Sequence, residues 1–482
     1  MVALPRFKSK EILSAMLLLL LALLLGFGFA HGGILVPAAI SVLPFGLAFL
    51  GIVIAFPKFG LYASLVFGFL ANGITRYVDG PFGLFIDIFL LLAALGIMFR
   101  TKTDEQTPSI NNKLTWLVLM WFAYTIIEIV NPEARSFAAW FYAVRGVSLY
   151  FIATILLTFA LLYREKDCDN FITIWFVCSL IGAMWGFKQF FIGLDNAENA
   201  WLEGGAKITH ILFGKLRIFS FYSDAGQFGA AQAHTGVVAS ILAMGPVSKK
   251  RKWFYIITAL CSFYAMSISG TRGALFVAIM GFAIYFVLSN NMKILIPGIA
   301  VGAILFILLK FTSVGQGNDQ IRRMRSATDS NDASFQVRLE NQKKLRTYLS
   351  SRPLGGGIGS AGSWGQRFSP GSFLAETPLD SWYVKIWAES GIIGLTIYLI
   401  MLLSILVDRF IVVFRIREPD LRQKMAALYG GFFGICVASY GNQIFGQLPT
   451  GNIMYMSLVY LFLAGNFIEQ RSLKNKNENI KN

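Results

Sequence analysis

A chain of 482 residues that is 56% hydrophobic and only 14% charged, with a mean hydropathy of +0.61, is not a string of soluble domains, in which charged residues make up about a quarter of the chain. The net charge of +16 is compatible with nucleic-acid binding, but membrane proteins gather Lys and Arg in their cytoplasmic segments, and the long apolar runs decide for the membrane. The expectation is an all-α polytopic membrane protein with no nucleic-acid partner.

Apolar stretches able to cross a hydrocarbon layer of about 30 Å recur along the chain. The first follows a basic start (Arg6, Lys8, Lys10), but no small-residue cleavage pattern comes after it, and His31-Gly32-Gly33 leads straight into another apolar run. A removed signal peptide is therefore not expected. The pattern predicts about 12–14 transmembrane helices. They fall at roughly 12–30, 34–55, 59–75, 81–99, 114–130, 146–163, 171–191, 228–247, 253–268, 273–289, 294–312, 383–407, 425–445 and 452–468. With both termini inside, more than half of the 42 Lys and Arg residues lie on short inner segments, among them Lys249-Lys250-Arg251-Lys252. Inner connections are short, whereas the outer side has two long segments, residues 193–227 and 312–381.

The longer outer segment reads as ordered and partly helical, because Phe335, Leu339, Lys343, Arg346 and Leu349 recur at helical spacing before Arg352-Pro353. Its basic residues outnumber its acidic ones, which favours an anionic ligand. The glycine run 355–359 has no following Gly-Lys-Ser/Thr and is not a nucleotide loop; it reads as a flexible turn or as a source of backbone amides for a phosphate. Residues 471–482, rich in Asn and Lys, are expected to be a disordered cytoplasmic tail. Cys168, Cys178, Cys261 and Cys436 lack metal-type spacing and imply neither a disulfide framework nor a zinc site. No metal and no cofactor are expected.

Three arginines stand at the outer boundary of the predicted spans. Arg272 lies in the turn Ser269-Gly270-Thr271-Arg272-Gly273, between two apolar runs with almost no loop. Arg217 precedes the span at 228, and Arg145 opens the span at 146. A charge at that depth is costly without a partner, so each is either an interface anchor or part of an anion clamp. Guanidinium suits a diphosphate because it offers two parallel hydrogen bonds in a fixed fork. Asp380, just before a helix expected to start near Trp382, reads either as an N-cap or as a proton acceptor. Glu389 would orient its helix or pair with a loop arginine. Trp364, Phe368, Phe373 and Trp382 suit sugar stacking or an interfacial aromatic belt. His234, inside a span, reads as a packing residue, and His210 lies in an outer loop.

In order along the chain come Ser269-Gly270-Thr271-Arg272-Gly273-Ala274, then Ser334 to Arg338, then Arg352-Pro353-Leu354-Gly355-Gly356-Gly357-Ile358-Gly359. Leu379-Asp380-Ser381-Trp382-Tyr383 and Ala388-Glu389-Ser390-Gly391 follow. This succession, over about residues 210–405, resembles the O-antigen ligase and O-antigen polymerase superfamily. The resemblance implies a multi-pass protein of the bacterial inner membrane with its active site facing the periplasm. Residues 1–209 would be N-terminal transmembrane helices, 210–405 the ligase/polymerase-like core with periplasmic loop 312–381, and 406–470 the C-terminal transmembrane helices.

It also implies metal-independent transfer of an undecaprenyl-diphosphate-linked glycan to an acceptor hydroxyl, by inverting displacement at the anomeric carbon. Polymerisation of O-antigen or exopolysaccharide is the first expectation. Ligation to lipid A core and, from another class, flipping of a lipid-linked oligosaccharide are the alternatives. Partners would be the lipid-linked glycan, the glycan or lipid A core acceptor, membrane lipids and other polysaccharide assembly proteins. The two phosphate-binding arginines of the family would correspond to Arg217 and Arg272, with Arg145 as a third diphosphate ligand. Ligases of the family usually carry a histidine where this chain has Asp380, which makes Asp380 the catalytic candidate and favours a polymerase. Arg338, Glu389 and Trp382 complete the set as glycan or loop contacts.

Overall fold

The computed structural model describes residues 48–99, 108–289 apart from Phe213, 292–313 and 333–481, with a few single positions beside them. The predicted span at 12–30 and the first part of the span at 34–55 lie outside these residues. The chain divides into two units, Met1–Gly60 with Leu91–Thr101, and Leu61–Leu90 with Lys102–Asn482. The candidate site is contained in the second.

The fold is all-α. Among the described residues, strand is confined to an antiparallel pair in which Ile211 faces Leu216 and Leu212 faces Lys215. The helices are α1 Pro57–Ile74, α2 Gly83–Met98, α3 Lys113–Ile127, α4 Phe137–Leu161, α5 Glu165–Phe191, α6 Ala225–Ala243, α7 Lys249–Ile268, α8 Arg272–Ser289, α9 Met292–Phe311, α10 Ala333–Leu349, α11 Trp382–Arg415, α12 Pro419–Ala438, α13 Thr450–Phe462 and α14 Ala464–Lys481. Five of the described helices are long and apolar enough to cross a membrane, or up to seven spans if each of two sharply bent pairs counts as one. In α6, Gln227, Gln232 and His234 interrupt the apolar run, and four basic residues occupy the first turn of α7. Both helices nevertheless pack into the same bundle. This is a multi-pass membrane protein.

The helix starts follow from local chemistry. Asn112, Ser136, Asp224 and Ser248 each accept a hydrogen bond from the backbone N–H three residues on, which satisfies a donor the first turn leaves open. Pro419 opens α12, where its missing N–H costs nothing. At one end of the bundle the starts of α5 and α12 are joined by ion pairs: Lys424 Nζ lies 2.9 Å from Glu165 Oε1 and 2.6 Å from Asp169 Oδ1. Arg471 joins the same group through Glu165 and Asp420. The helix carrying Arg471 runs on through Lys481, where composition alone reads as a disordered tail.

The opposite end carries the segment between α9 and α11, whose described part is a packed cap. On α10, Leu345 and Leu349 bury against Ala361, Leu374, Leu379 and Ala388. Each such leucine contributes about 1.5–3 kcal/mol relative to an exposed one. Short helices at Gly362–Phe368 and Phe373–Glu376 complete the cap. Helical spacing over 335–349 predicts a helix where α10 lies, but its inner face differs from the predicted stripe: Leu349 is buried, Phe335 is exposed, and Leu345, outside that stripe, is the other buried leucine.

Several boundaries differ from the sequence pattern in ways that matter for the site. α4 begins at Phe137, so Arg145 does not open a span; it sits inside α4, at a π-helical turn over Arg145–Leu149. α12 stops at Ala438, and residues 439–449, of which 439–445 read from hydropathy as membrane helix, form a connector at the cap end. α11 is broken at Gly391, whose φ of 64° and ψ of −168° lie outside the range of a helix. A Cβ there would fall on the Pro353 carbonyl oxygen, so only glycine lets the glycine-rich loop cross the helix.

Candidate functional site

A cavity of about 370 Å³ opens at the cap end. Its floor is the first turn of α8, with Arg272, Gly273 and Phe276. One wall is α10, and another is the stretch 378–381 leading into α11. The third is the end of α12 with the start of the connector: Val437, Ala438, Tyr440 and Gly441. Three residues singled out from sequence, Arg272, Arg338 and Asp380, therefore share one chamber.

Arg217 joins it from behind. Its Nη2 donates to Thr271 Oγ1 at 2.9 Å and its Nη1 to the Thr209 carbonyl at 3.3 Å. Thr271 in turn donates to the Ala225 carbonyl at 2.7 Å. One threonine thus holds Arg217 beside the residue that precedes Arg272. The segment carrying Arg217 is fixed by groups that sequence reasoning did not single out. Gln189 Oε1 accepts from the Ser220 amide at 2.7 Å, and Ser220 Oγ donates to the Gly182 carbonyl at 2.7 Å. The Arg76 guanidinium donates to the carbonyls of Ser220 and Tyr222. It also lies between the rings of Trp201 and Phe219, at 4.4 and 4.5 Å. Burial draws its pKa down to about 10, so it stays charged near neutrality. His210, at the edge of this cluster, is pulled below its ordinary value by burial and packs edge-on to both rings.

Asp380 is not the cap of α11. That role belongs to Ser381, whose side chain accepts from the Val384 N–H at 3.4 Å. The Asp380 carboxylate is 53% exposed and pairs with Arg338, Oδ2 lying 3.0 Å from Nε. An exposed pair of this kind adds less than about 1 kcal/mol to stability. Its neighbours are firmly tied: the Trp382 N–H donates to the Ser439 carbonyl at 3.0 Å, and the Gln443 side-chain amide donates to the Leu379 carbonyl. The carboxylate stands between two anchored backbone points.

Other sequence candidates lie elsewhere. Arg145 does not line the cavity; its guanidinium is 3.3 Å from Asp87 Oδ2 and sits near the rings of Phe141 and Tyr142. Trp382 is buried, donates from its indole N–H to Tyr398 Oη at 3.0 Å and stacks near Phe445, so no sugar can reach its face. Glu389 is fully buried, just before the Gly391 break. Among the described residues no arginine pairs with it, and its oxygens face the backbone amides of Gly359 and Ala361 without a well-formed hydrogen bond. The glycine run is neither a loose turn nor an open anion cradle. The Gly356 N–H is committed to the Ala388 carbonyl at 2.9 Å, and Gly359 packs on the Ala139 backbone. Trp364 and Phe368 stack on Tyr142 at 4.9 and 5.5 Å, and Phe373 on Tyr348 at 4.4 Å. All three serve the cap rather than the cavity.

The connector supplies residues that the sequence pattern hid. Tyr440 and Gly441 line the cavity, and the Asn442 side chain lies so close to Gly273 that any Cβ there would collide with its amide. The signal was the run Tyr-Gly-Asn-Gln at 440–443, which breaks an otherwise apolar stretch.

Fold and cavity define a polytopic membrane protein with a cationic chamber, holding one exposed carboxylate, at the capped end of its helix bundle. Residues 257–399 match the family model described as O-Antigen ligase. A stretch of 195 residues is 30% identical to an O-antigen polymerase of Salmonella muenchen, over 40% of this chain and 47% of that protein, so the chain aligns with less than half of that relative's length. Both matches support the O-antigen ligase and polymerase superfamily, to which the Arg272 turn and the stretch leading into α11 already pointed.

Proposed function

We propose that the cavity transfers a polyprenyl-diphosphate-linked glycan to an acceptor hydroxyl, in polymerisation of O-antigen or a related polysaccharide. The observation that carries this reading is the meeting of Arg272, Arg338 and Asp380 around one chamber, with Arg217 linked to it through Thr271. The acceptor oxygen attacks the anomeric carbon of the donor sugar, the bond to the diphosphate oxygen breaks, and the configuration inverts. Arg272 and Arg217 meet the charge that grows on the leaving diphosphate, where a fixed donor is worth several kcal/mol of barrier. Asp380 takes the hydroxyl proton. Arg338, held against Asp380, fixes the position of that carboxylate, and the cap over α11 excludes water that would otherwise hydrolyse the donor. The role of Asp380 at this point favours polymerase over ligase.

The test is incubation of the purified protein with a polyprenyl-diphosphate glycan in vesicles. Longer glycan on the lipid is the expected product; movement of the donor across the bilayer without transfer would assign the protein to the flippases instead. The reading also requires the cap end to face the periplasm. A cysteine introduced at exposed Ser363 should react with an impermeant thiol reagent on intact cells, while one at Ser248 stays protected. The reverse pattern would rule out a periplasmic site.

A further inference from the structure

Asp380 lines the cavity on the side where the connector between α12 and α13 begins. The Ser439 carbonyl and the Gln443 side chain bind the backbone on either side of it, and Tyr383 Oη donates to the Cys436 carbonyl at 2.7 Å. A hydroxyl presented to Asp380 in this cavity has Tyr440 and Gly441 among the residues around it. Within that stretch Tyr440 lines the cavity and is 57% exposed, and its side chain makes no hydrogen bond or ring contact with the described residues. Next to it, a Cβ on Gly441 would lie in van der Waals contact with Arg338 Nη1, at 3.8 Å, which sets this part of the connector beside the Arg338–Asp380 pair. An exposed aromatic side chain lining the same cavity as a carboxylate is an arrangement that can receive a sugar ring, whose axial C–H bonds lie on the aromatic ring while its hydroxyls project past the edge.

We infer that the connector is the acceptor wall of the site and that Tyr440 is the platform on which the acceptor's terminal sugar stacks, with its hydroxyl directed at Asp380. This rests on the transferase reading given above. The donor is held by the first turn of α8, against whose Gly273 the connector's Asn442 packs. Tyr440 lies outside the matched segment 257–399, whereas Arg272 and Asp380 lie within it.

Initial rates of transfer by the full-length protein in vesicles, with donor and a soluble oligosaccharide acceptor varied separately, test this. Tyr440→Ala should raise KM for the acceptor about tenfold, the loss expected of one aromatic contact, with KM for the donor and kcat near their wild-type values. Tyr440→Phe, which keeps the ring and loses the hydroxyl, should restore the acceptor KM. The proposal fails if Tyr440→Ala leaves the acceptor KM unchanged, if Phe and Ala are equally impaired, or if kcat and both KM values deteriorate together. A lower membrane level of the Ala protein with an unchanged acceptor KM would make Tyr440 an interfacial anchor and likewise overturn it. Absence of transfer by the wild-type protein would be a different result, because it removes the transferase reading itself.

Discussion

Arg272→Ala is expected to abolish polymer formation, with kcat for transfer falling by about 10²–10³-fold, while the protein still inserts and accumulates normally. Arg272 sits on the floor of the cavity at the first turn of α8, so the change removes a charge from the chamber. The reason for a kinetic rather than a binding defect is that negative charge on the diphosphate is greatest as its bond to the sugar breaks. Arg217→Ala should show a loss of the same order. In that variant the hydrogen bond to Thr271 also goes, so part of the effect would come from a turn that no longer holds Arg272 in place. Lysine at either position should rescue poorly, since an ammonium lacks the planar fork. Polymer measured on gels from cells carrying each variant, normalised to membrane protein level, decides the matter. Near-normal polymer from both alanine proteins would reduce the arginines to interface anchors.

The arginine turn was legible because a guanidinium placed between two apolar runs stands out from composition alone, and its cost in the membrane demands an explanation. Arg145 is the counterexample. It has the same residue type at what looked like the same depth, yet its charge is already matched by Asp87 on α2, far upstream in the chain. Pairing of this kind is tertiary and leaves no trace in local spacing. The glycine run failed for a related reason. Glycines read as freedom in a sequence, but here they mark close approach, with backbone packed against α4 and α11 where no side chain fits. The connector was missed because Ile444 and Phe445 keep the hydropathy high beyond the true end of α12 at Ala438. Those two side chains are buried, so they are apolar for the sake of a packed loop rather than of lipid. Most helices were visible in the sequence because apolar length is a one-dimensional property. The cavity was visible only in part, since one of its walls comes from a stretch whose composition imitates a span.

Whether Asp380 works as a base turns on a chemical difference between it and its neighbour. Asp and Ser are both good caps, so sequence alone could not say which of Asp380 and Ser381 closes α11; the hydrogen bond from Val384 assigns the task to Ser381. Asp380→Asn should therefore leave the thermal unfolding midpoint of the detergent-purified protein nearly unchanged, because the exposed pair with Arg338 contributes little. The same variant should lose transfer almost entirely, since an amide cannot accept the proton that the attacking hydroxyl releases. Asp380→His should retain some activity, because an imidazole can also accept the proton of the attacking hydroxyl. Ser381→Ala should show the opposite pattern, losing about 1 kcal/mol of stability and activity only in proportion to the protein that remains folded. Full polymer from Asp380→Asn would remove the carboxylate from the mechanism. Glu376 and His210 would then be the groups at the cap end left to examine for the proton, Glu389 being sealed beneath the glycine loop.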